Sequence, residues 1–109
     1  MIDLKQIIMI SVDLSVLEKA LDKYGIRAQY LMLQEECMEL ASAIHKFETR
    51  SSSKENREKI YDELADVIIM IEQVKLTDFD FDLLQEKINY KLNRLNERIN
   101  GDEKIFTKN

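Results

Sequence analysis

The chain has 109 residues, of which 21 are acidic and 16 basic, giving a net charge of −5. An acidic chain of this length predicts one small domain over residues 1–109, and it lacks the basic face that binding of nucleic-acid polymers needs. With 45% apolar residues, no proline and two glycines, the composition predicts an all-α fold with a modest core.

The N-terminal arm and the single cysteine indicate whether the chain is expected to enter a membrane and in which compartment it is expected to work. The apolar run at residues 7–10 is too short for a membrane span or a signal peptide, so residues 1–13 are predicted to be a short helical or irregular arm. Cys37 cannot form an internal disulfide, which is typical of cytoplasmic proteins. Its place in an apolar helical pattern predicts a small core residue.

The first helical signal is a capping box. The hydroxyl of Ser15 is predicted to be the N-cap, with Glu18 three residues later. The pattern predicts a helix over residues 16–23, which ends at Gly25 as a left-handed C-cap.

Two longer amphipathic helices are predicted over residues 28–48 and 55–76, with a polar loop at residues 50–54 between them. Apolar residues at helical spacing predict the core face of the first of these: Leu33, Cys37, Leu40, Ile44 and Phe47. The second has a corresponding stripe: Ile60, Leu64, Val67, Ile71 and Val74. Residues 67–71 are apolar on all sides, which predicts that another subunit covers part of this helix.

A fourth helix is predicted from an N-cap at Thr77 or Asp78 to about residue 100, followed by a tail at residues 102–109 that is loose or tucked onto a neighbour. A basic stripe follows its apolar face: Lys87, Lys91, Arg94 and Arg98. These side chains either face solvent beside acids of the same helix or clamp phosphate groups, and Lys91 and Arg94 are the favoured pair for a clamp.

Four carboxylates form two matching pairs three residues apart: Glu36 with Glu39, and Glu63 with Asp66. At about 100° per residue, both pairs lie about 60° to 120° from the centre of their apolar stripes, on the same flank. Glu35 points further outward. If the two helices pack antiparallel, as their short loop requires, the two flanks meet at one edge of the interface.

Carboxylates gathered at such an edge would raise one another's pKa, and a divalent cation would relieve the repulsion. Oxygen-only ligands suit Mg²⁺, Mn²⁺ or Ca²⁺ better than zinc. The alternative is that both pairs belong to solvated helix faces and bind nothing. His45 is the single histidine and has Ser42 three residues before it, so the paired Glu-x-x-His motifs of a ferritin-like di-iron site are absent.

The acids also form a recognisable motif. Glu35-Glu36-x-x-Glu39, a spacer of 23 residues and Glu63-x-x-Asp66 together resemble the E-E-x-x-E…E-x-x-D signature of the MazG-like all-α nucleoside triphosphate pyrophosphohydrolases. The surrounding segments are also similar to small single-domain members of that family, notably residues 22–25, 36–46 and 87–98. The resemblance extends over residues 17–99.

The resemblance implies hydrolysis of a nucleoside triphosphate between its α and β phosphates, which yields a monophosphate and pyrophosphate. It implies that Mg²⁺ is held by the two acid pairs, Glu36, Glu39, Glu63 and Asp66. It further implies a water-orienting role for Glu35 and phosphate contacts from Lys91 and Arg94. The candidates for nucleobase contact are Tyr24, Gln29 and Tyr30. Members of the family assemble as dimers or tetramers, so we expect a homodimer or homotetramer.

Two other functions remain open at this point. One is a catalytically silent helical oligomerisation module, in which the acids only solvate the helices. The other is a cation-dependent hydrolase of a different phosphorylated metabolite, such as a phosphoribosyl compound. Release of pyrophosphate from nucleotides distinguishes the nucleotide hydrolase from both.

Overall fold

A computed structural model describes residue 3 and residues 10–101 of the chain. These residues contain four helices and no strand: α1 (Leu14–Tyr24), α2 (Ile26–Thr49), α3 (Lys54–Val74) and α4 (Phe81–Asn100). The predicted all-α fold is therefore confirmed. The predicted tail and most of the predicted N-terminal arm lie outside the described residues. The chain divides into two compact units, Met1–Asp78 and Phe79–Asn109.

Helix α1 begins earlier than the sequence pattern predicts. The carboxylate of Asp13 accepts hydrogen bonds from the backbone N–H of Ser15 at 3.0 Å and from its hydroxyl at 2.7 Å. The prediction of Ser15 as the N-cap is therefore wrong, because Asp13 has that role and Ser15 lies inside the helix. An aspartate is as good an N-cap as a serine, and its use adds two residues to the helix.

Gly25 alone separates α1 from α2. The prediction that Gly25 is the C-cap of α1 is confirmed, and its φ of 84° lies in the left-handed region that favours glycine; its ψ of 171°, however, is extended instead of helical. The Gly25 N–H still closes α1 by donating to the Leu21 carbonyl at 2.8 Å. Its own carbonyl accepts from the side-chain amide of Gln29 at 3.0 Å. One glycine thus ends one helix and begins the next.

The end of α3 explains why α4 begins later than predicted. The backbone N–H and the hydroxyl of Thr77 both donate to the Val74 carbonyl, so Thr77 closes α3 instead of starting a new helix. The N-cap of α4 is Asp80, which accepts from the Leu83 N–H at 2.9 Å. The prediction of Thr77 or Asp78 as this N-cap is therefore wrong.

The core of the first unit is the interface between α2 and α3, with α1 packed against both. The inward residues of each helix alternate by four and three positions, which is the spacing of a coiled-coil seam. On α2 the seam consists of Gln29, Leu33, Glu36, Leu40, Ala43 and Phe47. On α3 it consists of Asn56, Ile60, Glu63, Val67, Met70 and Val74.

The seam runs through Glu36 and Glu63, whereas the apolar pattern predicts both on a flank. Cys37, Ile44 and Ile71, which that pattern places in the core, are exposed. The predictions for these three residues are wrong because polar residues occupy seam positions. The stripe drawn through apolar residues alone is therefore rotated away from the true contact face.

The second unit is described as the single helix α4. Its apolar residues are exposed, as are Lys91 and Arg94. None of the helices in the described residues has the length and apolar character needed to cross a membrane.

Candidate active site

The two seam acids and the acids one turn beyond them form one cluster. Glu63 is 3% exposed and Glu36 is half-buried, because both occupy seam positions between α2 and α3. Glu39 and Asp66 lie at the exposed margin of the seam. One carboxylate oxygen from each of Glu36, Glu39 and Glu63 lies within 4.8 Å of the other two. The structure thus brings three of the four predicted acids together between α2 and α3.

Two carboxylate oxygens in this cluster are buried without a partner. Glu36 Oε2 and Glu63 Oε2 have no hydrogen bond from any described residue. Burial of an acceptor without a partner costs free energy, and buried polar atoms in native proteins are nearly always bonded. These two atoms therefore mark a position where a ligand outside the chain would complete the structure.

The cluster changes the proton affinity of Glu36. Burial raises the pKa of its carboxyl group, and the nearby negative charges of Asp66, Glu39 and Glu63 raise it further. The Glu36 carboxyl group also contacts that of Asp66, which favours a proton between them. In the absence of a cation, protonation of Glu36 thus relieves part of the repulsion.

A lysine that sequence reasoning missed also contacts the cluster. Lys59 Nζ lies 2.9 Å from Glu63 Oε1, and this contact raises the pKa of the lysine. A signal for it exists in the sequence, because Lys59 precedes Glu63 by four residues and therefore shares its helix face. The basic stripe predicted from the sequence lies on the fourth helix alone, whereas Lys59 lies on α3.

A cleft of about 490 Å³ opens beside the cluster, between α2 and the first half of α3. Its lining includes three acids, Glu39, Glu55 and Glu63, and two bases, Lys46 and Lys59. Lys46 is the second base that sequence reasoning missed, although it follows Glu39 by two helical turns. The cleft therefore places positive charge beside the carboxylates within a single unit of the chain.

The donor set fits a hard divalent cation. All candidate ligand atoms are carboxylate oxygens, which Mg²⁺ and Mn²⁺ prefer, and zinc would favour nitrogen or sulfur. The three clustered oxygens are close enough to share one ion, and the buried Glu63 oxygen without a partner among the described residues is a second, independent observation that suits a bound cation. Asp66, the fourth predicted ligand, interacts with Glu36 but is not among the three residues whose oxygens lie within 4.8 Å of one another.

The remaining predicted site residues are more scattered. Glu35 is exposed on α2, consistent with its predicted outward direction. Tyr24 and Tyr30 are exposed, whereas Gln29 is 2% exposed and its amide donates to the Gly25 carbonyl. Lys91 and Arg94 belong to α4, in the second unit. Roles for these six residues stay predictions.

Comparison with known proteins gives one positive result. The sequence model of the MazG nucleotide pyrophosphohydrolase domain matches residues 25–99, which include both acid pairs. No match was found among curated proteins or among solved structures. Because the matched segment covers well over half of the 109 residues, the chain belongs to the MazG nucleotide pyrophosphohydrolase family.

Proposed function

We propose that this protein is a Mg²⁺-dependent hydrolase that cleaves nucleoside or deoxynucleoside triphosphates between the α and β phosphates. Water adds to the α phosphorus, and the bridging oxygen leaves with the β phosphate as pyrophosphate. The observation that carries the proposal is the carboxylate cluster, in which two buried oxygens have no partner among the described residues. Membership of the MazG family supports a nucleotide as the substrate.

In this proposal the cation is held by Glu36, Glu39, Glu63 and Asp66, and Mn²⁺ can replace Mg²⁺. A cation bound there would neutralise charge on the phosphates and lower the pKa of the attacking water. The protein's own contribution is a rigid arrangement, because Glu36 and Glu63 are fixed by helix packing. A carboxylate held by a seam position loses little side-chain entropy when it binds a ligand.

The cleft next to the cluster supplies positive charge for the phosphates. Lys46 and Lys59 line it, and their ammonium groups would bind phosphate oxygens. We retain Lys91 and Arg94 of α4 as further phosphate-binding residues. Glu35 is proposed to orient water through its exposed carboxylate.

The nucleobase is proposed to contact exposed aromatic residues at the end of α1 and near the start of α2. Tyr24 and Tyr30 are 59% and 46% exposed, so their rings are free to stack. Gln29 is a poorer candidate than in the sequence prediction, because its amide nitrogen is engaged inside the fold.

The test is a panel of NTPs and dNTPs incubated with the protein and Mg²⁺. We expect equal amounts of pyrophosphate and nucleoside monophosphate from at least one substrate. Release of inorganic phosphate and a diphosphate would show cleavage at the wrong bond. If pyrophosphate is absent across the panel, the proposal is wrong.

Matched variants separate catalysis from folding. Glu39→Gln and Asp66→Asn should each abolish pyrophosphate release while helicity and assembly, measured by circular dichroism and light scattering, stay unchanged. The control is Asp62→Asn, which removes the same charge from an exposed position on α3 next to the cluster. Full activity in Glu39→Gln would show that the site is misplaced.

We propose that the working protein is a cytoplasmic homodimer or homotetramer. The support is apolar surface on α3, where Ile69 and Ile71 are 40% and 43% exposed within the described chain. These two residues lie about 200° apart around the helix, and a helix that is apolar on more than one side is typically buried, here by a second subunit. Light scattering on the purified protein measures the mass directly, and a monomer at micromolar concentration would contradict this part of the proposal.

A further inference from the structure

The ion pair between Lys59 and Glu63 joins a solvent-facing base to a buried acid. The Lys59 side chain is 60% exposed, whereas the Glu63 side chain is 4% exposed. A buried carboxylate without a counter-charge is strongly destabilising, so the lysine has a clear function in the protein without a cation. It reaches Glu63 Oε1 from the solvent side at 2.9 Å.

The same carboxylate belongs to the group suited to a divalent cation. An oxygen of Glu63 lies within 4.8 Å of oxygens from Glu36 and Glu39, and Glu63 Oε2 is buried without a partner. A cation held by this group would come within a few ångströms of the lysine ammonium. Two positive charges at that separation repel strongly in a partly buried site.

We propose that Lys59 is a built-in counter-ion of the cation-free site, and that a divalent cation binds by displacing its ammonium group from Glu63. The inference rests on the cation site proposed above and adds a competitor that sets its affinity. The displaced ammonium remains tethered in the cleft, where Lys46 also lies. Lys59 is thus a positioning residue that holds Glu63 until the cation arrives.

A second pair on the same helix provides a matched control. Lys54 and Glu58 have the same spacing of four residues, but their charged atoms are 4.0 Å apart and their side chains are 90% and 64% exposed. Such a surface pair contributes little to stability. Lys54→Met therefore removes a lysine at the same spacing on α3 and leaves the charge next to the buried carboxylates unchanged.

The main experiment measures binding of Mn²⁺ alone, without nucleotide, by loss of the free-ion signal in electron paramagnetic resonance. Lys59→Met should bind Mn²⁺ about tenfold more tightly than the unmodified protein, because the competing charge is gone. Lys59→Arg keeps the charge and should bind no more tightly than the unmodified protein. Lys54→Met should match the unmodified protein within twofold.

Thermal unfolding gives a readout that does not depend on activity. In chelator, Lys59→Met should lower the Tm by about 4 °C, because Glu63 is left buried without a counter-charge. Saturating Mg²⁺ should remove most of that deficit, so the Tm gain on adding Mg²⁺ should be larger in Lys59→Met than in the unmodified protein. Lys54→Met should show no such difference.

Two results would overturn the inference. If Lys59→Met binds Mn²⁺ with unchanged or weaker affinity, Lys59 does not compete with the cation. If its Tm in chelator equals that of the unmodified protein, Lys59 does not stabilise the empty site. Failure of the cation site itself is distinguishable, because then the unmodified protein would bind no Mn²⁺.

Discussion

Gln73 and Glu63 are both buried in α3, but their polar atoms differ in how fully they are hydrogen-bonded. The Gln73 amide donates to the Leu17 carbonyl at 2.6 Å and so ties α3 to α1. Gln29, buried near the start of α2, donates to the Gly25 carbonyl. In the middle of the same helices, Glu36 and Glu63 each keep a buried oxygen with no partner among the described residues.

This difference distinguishes buried polar residues with a structural role from buried polar residues that are suited to ligand binding. A buried amide that donates to a backbone carbonyl has its hydrogen-bond partner within the protein and helps to specify how helices pack. A buried carboxylate oxygen without a donor keeps a free-energy cost that only an external group can remove. Burial alone therefore does not separate Gln29 and Gln73 from Glu63, whereas the presence or absence of a hydrogen-bond partner does.

The largest effect should come from Glu63→Gln, which keeps the shape of the side chain and removes its charge. We expect pyrophosphate release to fall at least about a hundredfold, because a neutral amide is a poor ligand for a divalent cation. Steady-state assays with saturating Mg²⁺ measure this loss.

Stability should respond in the opposite way. In chelator, the Tm of Glu63→Gln should be equal to or above that of the unmodified protein, since a buried charge has been removed from a group of like charges. A variant that unfolds instead would make Glu63 a structural residue and would erase the contrast with Gln73.

The second largest effect should come from Gln73→Leu, which removes the side-chain amide that joins α3 to α1. We expect a loss of about 1–3 kcal/mol in the free energy of unfolding, because the buried hydrogen bond that joins α3 to the Leu17 carbonyl of α1 is lost. Urea denaturation measures it, and Mn²⁺ affinity should not change. Gln34→Leu, at an exposed position on α2, is the control and should change stability by less than about 0.5 kcal/mol. A tenfold loss of Mn²⁺ affinity in Gln73→Leu would show that the two regions are coupled.

Gly25→Ala tests the joint between α1 and α2, where the Gly25 carbonyl accepts a hydrogen bond from Gln29. A φ of 84° with a ψ of 171° is a conformation that residues with a Cβ rarely adopt. We expect a loss of about 1–2 kcal/mol, visible as a lower urea midpoint. Because an added Cβ would meet no atom within 4 Å, the loss would come from backbone strain and not from a clash. An unchanged midpoint would show that the α1–α2 joint relaxes freely.

Much of this architecture could be predicted from the sequence. Helix content follows from composition, and the acid spacing is a property of the chain itself. The caps were harder, because Asp13 and Ser15 are both good N-caps and the choice depends on how far α1 can extend. Likewise, Thr77 looks like an N-cap until its bond to the Val74 carbonyl is seen.

The orientation of α2 and α3 could not be predicted, and the reason lies in the site. Hydrophobic patterns locate a helix face by its apolar residues, and here the contact face includes Gln29, Glu36 and Glu63. Polar residues at seam positions shift the apparent centre of the pattern toward Cys37 and Ile44, which are exposed. The residues that conceal the true packing face are therefore the ones that suit it to binding a ligand.

The smallest expected effect is a pH dependence that originates in Glu36. Its pKa in the folded protein is raised above 4.5, so between that value and the raised pKa the folded state binds a proton that the unfolded state has released. The contribution of this group to stability is therefore present at low pH and is lost as pH rises through that window. In chelator, the stability of the unmodified protein relative to Glu36→Gln should fall from pH 4.5 upward and level off above the raised pKa. Saturating Mg²⁺ should flatten the slope, because a bound cation favours the ionised carboxylate. A flat difference in chelator would mean that Glu36 is as well satisfied as Gln73, and the contrast between the two regions would then rest on Glu63 alone.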